Sequence, residues 1–351
     1  MRPETKIFWL GLLFRILLLV VERIVGIGTF FHVDSQYYFD QAQALWLGGY
    51  DLQELWHLAT TNGYVILVSL FFPLDIPTAG PIVLNLLLSV TGLVLLYRIA
   101  LRLIPQCNLR AAFWAVLTLA VLPYHAHLSI HLLKDTTFIF LSILLLWSWL
   151  GHRVVLVVLT ALALFSVRSQ LAMMELLVLM AASILRVRFS WTKLTLFYVA
   201  GFAVLAFTHV SEILIQRGSV QFEGRAFFPS LPVLRAENLF DLAWMGLIAP
   251  VKSIVLPNLL FARNFSEIMY ALDVTVSHAV LIYLLLRPAQ SLRCVTSPGL
   301  SLLLTTALGG FWFVEMTTPS YGPLVRYREY FWILFSFSIL YCFFLRVRIR
   351  W

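Results

Sequence analysis

Asp34, Lys134, Asp135, Arg168, Arg326 and Arg328 stand in short polar stretches at the ends of long apolar runs, in a chain whose residues are only 12% charged. A carboxylate so placed can take a proton from a hydroxyl as a general base. An arginine fork or a lysine ammonium can hold phosphate oxygens and offset charge that develops on them. Ionisable groups at membrane depth are costly, so a converging set points to a functional site. His125, His127 and His131 follow at spacings of two and four residues. His127 and His131 have the spacing of paired ligands on one helical face. They read as polar residues near an interface, and no metal ligand is assigned. Glu175 and Glu315 fall within or at the end of apolar runs, where an arginine partner inside the bundle is expected.

The elements that must position these groups are helices in a bilayer. The chain has 351 residues, is 61% hydrophobic, and has a mean hydropathy of +0.90. Soluble domains average about 25% charged residues. Apolar stretches of bilayer-spanning length recur throughout, with no charged linker or low-complexity block. Residues 1–351 therefore read as a single integral membrane domain, all-α and polytopic. The net charge of +8 is assigned to cytoplasmic loops rather than to nucleic acid. Cys107, Cys294 and Cys342 have neither metal nor disulfide spacing and read as lone thiols. The first apolar segment lacks a cleavage site and reads as an uncleaved anchor.

Loop charge sets the threading by the positive-inside rule. The expected spans are 8–25, 82–101, 111–129, 136–150, 154–167, 170–185, 194–210, 268–286, 299–314 and 330–344, about ten, with both termini inside. The apolar run in "GYVILVSLFFPLDIP" is too short to cross and is placed outside as an interfacial or re-entrant helix. Residues 26–81 then form a long first external loop carrying surface helices. Residues 211–267 form a second external or interfacial segment, and "EMTTPSYGPLVRYRE" a third external loop. In "FFHVDSQYYFDQAQALWLGGY" a helix is expected over 35–47. Asp34 is its N-cap, Tyr37, Gln41, Ala44 and Leu45 share one face, and the glycines close it. Asp40, in mid-helix, is expected to be solvated or secondary.

These residues carry a resemblance. "DSQYYFDQAQALWLGG" followed by "NGYVILVSLFFPL" resembles the first external loop of GT-C superfamily glycosyltransferases, of the protein O-mannosyltransferase-like and aminoarabinose-transferase-like kinds. Asn62-Gly63-Tyr64 stands where Pro-Gly-Tyr is usual. "LAVLPYHAHLSIHLLKDTTFIFLSILLLW" resembles the second external loop, with Asp135 at its acidic position. "FSVRSQLA" resembles the arginine-bearing turn, and "YGPLVRYREYFWILFSF" the late Arg-Tyr-Arg segment. The second of two adjacent acidic positions is Ser35 here, which departs from many members and bears on metal use.

The resemblance implies a GT-C-like fold and transfer of a sugar from a polyprenyl-phosphate or polyprenyl-diphosphate carrier to a glycan, lipid or protein acceptor. The active face would be external or periplasmic, in a multi-pass plasma or inner membrane protein. Asp34 and Asp135 take the catalytic positions, Asp34 as base. Lys134, Arg168, Arg326, Arg328, Tyr37 and Tyr64 take the substrate and phosphate positions. The lipid-linked sugar is a co-substrate, no cofactor is assigned, and a divalent metal is an option without an assigned ligand. Rival readings are a polysaccharide polymerase or ligase, a transporter or flippase of lipid-linked sugars, and a non-catalytic subunit with the same fold.

Overall fold

The computed structural model describes residues 2–25, 33–104, 108–184, 241, 244, 248, 254, 265–286, 297–317 and 321–347. Among them every regular element is a helix and there is no strand. Among the described residues three helices are long and apolar enough to cross a membrane, Ala79–Leu103, Ile268–Leu285 and Arg326–Arg346, and a bent pair, counted as one span, would make a fourth. The chain divides into two compact units, residues 1–102 with 107–175, and residues 103–106 with 176–351. The expected span 194–210 and most of 211–267 lie outside the described residues.

The first unit is built from α1 (Pro3–Val25), α2 (Val33–Trp46), α3 (Leu52–Thr61), α4 (Gly63–Ser69), α5 (Ala79–Leu103), α6 (Leu109–Ala120), α7 (Pro123–Ser129), α8 (Lys134–Leu150) and the first part of α9 (Val154–Ile184). α1 and α5 run antiparallel. Glu4 lies 4.0 Å from Arg98 near one end, and Arg15 donates from Nε to Ser89 Oγ at 2.9 Å midway. Near the other end, Leu18 and Leu19 pack on Ile82, Leu86 and Ile130. Glu4 and Glu22 stand about 27 Å apart along α1 at 1.5 Å per residue, close to the thickness of a bilayer core. Small residues let the helices close: a side chain at Gly11 would meet Val90 at 3.4 Å and Ala120 at 3.5 Å. In a bilayer such packing contacts, more than transfer from water, hold helices together.

α5 and α8 run parallel. Asn85 Nδ2 donates to the Leu133 carbonyl at 3.0 Å, and at the far end the Arg102 guanidinium lies 4.9 Å from the Trp147 ring centre. Arg153 covers the same ring at 4.2 Å. Arg98, Arg102 and Arg153 thus share one end of the unit, and Lys134 with Asp135 the other.

The expected span 111–129 is two helices, α6 and α7, bent by 59°. Pro123 opens α7; its missing N–H and fixed φ suit a first helical position but end a helix that arrives from before it. The expected spans 154–167 and 170–185 join as α9, broken where Arg168 is extended (φ −156°, ψ 85°). In the first loop, α4 is a seven-residue helix, in keeping with a segment too short to cross.

The second unit holds α10 (Phe265–Leu285), α11 (Pro298–Thr317) and α12 (Tyr321–Arg346). Phe311, Trp332 and Phe335 form an aromatic cluster with ring centres 5.6 to 6.0 Å apart. Ser277 and Ser336 bond at 3.0 Å between α10 and α12. Cys342, expected as a lone thiol, is disulfide-bonded. The expected loop around Arg326 and Arg328 is corrected to helix, because α12 begins at Tyr321. Pro323 falls in the first turn, where a proline costs no hydrogen bond.

Candidate functional site

In the first unit, polar and ionisable side chains gather where α1, α4, α5, α7, α8 and α9 meet. α2 carries Asp34, but not as an N-cap. The helix begins at Val33, so Asp34 lies in its first turn. A carboxylate there is still favoured by the helix dipole. The inner face of α2 is also corrected. Ser35, Tyr38 and Ala42 are buried, whereas Tyr37 is half exposed and meets Tyr38 edge-on at 5.6 Å. Two small residues flanking one tyrosine let α2 lie close to α4, and Tyr38 packs edge-on against Tyr64 at 5.3 Å. Asp40 is exposed and accepts from Gln36 at 2.7 Å. Asp51 and Glu54 form a reciprocal capping box that starts α3.

Tyr64 is fully buried and accepts from Asn85 Nδ2 at 3.1 Å. Burial, with Tyr38 and Asp135 nearby, pushes its phenol well above the usual range. The Asn85 amide also donates to the His131 and Leu133 carbonyls, each at 3.0 Å. One side chain thereby ties α4, α5 and the turn before α8. Lys134 opens α8, donates to Asn62 Oδ1 at 3.3 Å, and sits over the Tyr38 ring at 5.6 Å. Its neighbour Asp135 is buried and accepts from Arg168 Nη2 at 2.7 Å. The extended backbone at Arg168 breaks α9, so that its guanidinium reaches α8. Arg168 does not snorkel: it is 8% exposed. A short, buried, charge-assisted bond of this kind fixes both partners.

Two groups in α1 were missed by the sequence reasoning. Arg15 is fully buried and donates to the Gly11 and Ala120 carbonyls at 3.0 Å each, besides Ser89. The Ser89 hydroxyl is then left to donate to His125 Nε2 at 3.0 Å. Glu22 is buried beside His127 and His131, at 2.6 Å and 3.0 Å. The available signal was spacing. Arg15 and Glu22 are seven apart, two turns on one face, inside an otherwise apolar run.

Glu175 is buried in α9 and accepts from Ser142 at 2.6 Å. The Glu315 side chain lies outside the described residues. In the second unit, Arg328 is buried and its guanidinium stands over Tyr270 at 5.0 Å, an arrangement favoured by the ring's negative face. Asp273 and Glu329 are buried in the same unit, and Arg326 is partly exposed. Asp34, Tyr64, Lys134, Asp135 and Arg168 thus belong to one unit, and Arg326 and Arg328 to the other.

Compared with known proteins, the sequence matches no family model, no curated protein and no solved structure.

Proposed function

We propose that this chain is an integral-membrane glycosyltransferase of GT-C type, moving a sugar from a polyprenyl-phosphate or polyprenyl-diphosphate carrier to an acceptor at the external face. One observation carries the reading: first-loop residues Tyr38 and Asn62 adjoin Lys134, Tyr64 packs on Tyr38, and Asp135 next to Lys134 is held by Arg168. The lysine brings positive charge to the first loop, where a phosphate leaving group needs it. Asp34, one turn before Tyr38 on α2, is the base that takes the acceptor's hydroxyl proton. Asp135 is engaged by Arg168, so the pair acts in positioning rather than as the base. The remaining parts of the reading are about ten spans and a multi-pass threading with Asp34 outside.

The test is transfer from a labelled polyprenyl-phosphate sugar in membranes containing this chain. Label should leave the lipid fraction for an acceptor fraction, and Lys134→Ala should reduce that transfer by at least tenfold. Intact labelled donor in both cases would sink the proposal.

A second reading, a carrier for lipid-linked sugars, is favoured by one observation, Arg15 buried midway along α1. Ionisable groups at such depth line transport paths in many membrane proteins. Sealed vesicles separate the two: a carrier moves the labelled donor across with its sugar bond intact.

A further inference from the structure

Glu22, His127 and His131 meet in the first unit, all at 1% exposure or less. α1 delivers the carboxylate from its last turns. The bend at Pro123 turns α7 so that His127 faces it. His131 follows in the turn after α7, and its backbone is held by the Asn85 amide on its carbonyl. His127 Nδ1 lies 2.6 Å from Glu22 Oε1, His131 Nε2 lies 3.0 Å from Glu22 Oε2, and the two ring nitrogens are 3.3 Å apart. Among the described residues, no lysine or arginine pairs with this carboxylate.

Two ring nitrogens aimed at the same spot share either protons or a cation. With both donating to Glu22, two N–H groups 3.3 Å apart point into the same space. A cation accepts all three donors together. Ligands about 2.0–2.1 Å from a tetrahedral ion stand roughly 3.3 Å from one another; the two nitrogens have that separation, and the carboxylate, at 2.6 and 3.0 Å from them, reaches it by drawing back a few tenths of an ångström. Two imidazoles and a carboxylate suit first-row transition cations, whereas calcium and magnesium take oxygen donors. The cation would also balance a carboxylate buried at membrane depth.

We propose that Glu22, His127 and His131 bind a divalent first-row transition cation, zinc or iron(II), through three protein ligands. At least one coordination position remains for water or a substrate oxygen, the pattern of open rather than purely structural sites. The Asn85 bond to the His131 carbonyl acts as an outer support that fixes a ligand's orientation. The site was not assigned from sequence because Glu22 is about a hundred residues away and joins the histidines only by packing of α1 on α7. It stands independently of the transferase proposal.

The test uses the full chain, purified without a polyhistidine tag, and reads metal rather than sugar transfer, so the two proposals fail separately. Metal analysis of protein expressed with zinc and iron present is expected to find roughly one equivalent per chain, and its identity separates the two ions. After chelation, cobalt(II) should bind at the same stoichiometry with the absorption of a four- or five-coordinate nitrogen–oxygen site. Glu22→Gln and His131→Ala should each lower bound metal at least tenfold, and His152→Ala, at an exposed turn, should leave it unchanged. Folded wild-type protein holding under a tenth of an equivalent, or variants holding as much as wild type, overturns the proposal. If the variants do not fold, the wild-type cobalt spectrum decides: a six-coordinate or free-ion spectrum overturns it.

Discussion

Replacing Arg168 by glutamine removes the counter-charge from Asp135 while keeping a polar side chain of middling length. The pair is buried on both sides, with 7% and 2% of the side chains exposed, and its N···O distance is 2.7 Å. With charge centres about 4 Å apart, the attraction is worth about 4 kcal/mol at an effective dielectric near 20. Removing one partner of a buried pair costs about 3–5 kcal/mol, since the other charge stays buried without it. The two routes agree, so Arg168→Gln should cost about 4 kcal/mol, roughly a thousandfold in the folding equilibrium. Asp135→Asn should cost a similar amount, through the stranded arginine. The double variant strands no charge, so its cost should fall short of the sum by about 2–3 kcal/mol. Reversible unfolding in mixed micelles, followed by tryptophan fluorescence, measures all four proteins. Single variants costing under about 1 kcal/mol each, the figure for an exposed pair, would refute the buried-pair argument. Strict additivity in the double variant would do the same.

If Asp34 is the base of the proposed transfer, Asp34→Asn should lower that transfer by about 10²–10⁴-fold, while its first-turn position costs about 0.3–1 kcal/mol in stability. Asp40→Asn, at an exposed site, should leave transfer near wild type, and equal losses in the two variants would count against Asp34 as base. At Gly63 an added Cβ would overlap Ser166 Oγ, so Gly63→Ala should cost about 1–3 kcal/mol by overpacking. Ser166→Ala in the same chain should restore part of that, read as a shift in the thermal unfolding midpoint. Single cysteines replacing Arg153 and Asp40 should be labelled by an impermeant thiol reagent from opposite faces of the membrane, and labelling from one face would overturn the threading.

The buried polar groups follow a common logic. Arg15, Asn85 and Arg168 each bind groups on other helices. In a medium without water a donor must find its acceptor inside the protein. Each such residue therefore fixes how two or three helices meet, and Asn85 ties the first loop to the turn before α8.

Sequence alone determined that the chain is helical and built for a membrane, because apolar run length and charge scarcity are local properties that a bilayer reads directly. It also placed apolar spans on α5 and α8, starting two or three residues inside their observed starts, and interrupted the chain at Arg168, where two expected spans are one broken helix. It separated Arg98, Arg102 and Arg153 from Lys134 and Asp135, since charge asymmetry survives in the one-dimensional pattern. Tertiary structure alone decided which face of α2 turns inward. Tyr37 and Tyr38 differ by one position, and only the fit of Ser35, Tyr38 and Ala42 against α4 separates them. It alone also paired Asp135 with Arg168 and carried Glu22 to His127 and His131. Those partners lie far apart in the chain, and no residue's type or local spacing names its partner. Helix packing brings them within 3 Å, because a buried charge in a bilayer is stable only where another part of the chain completes it.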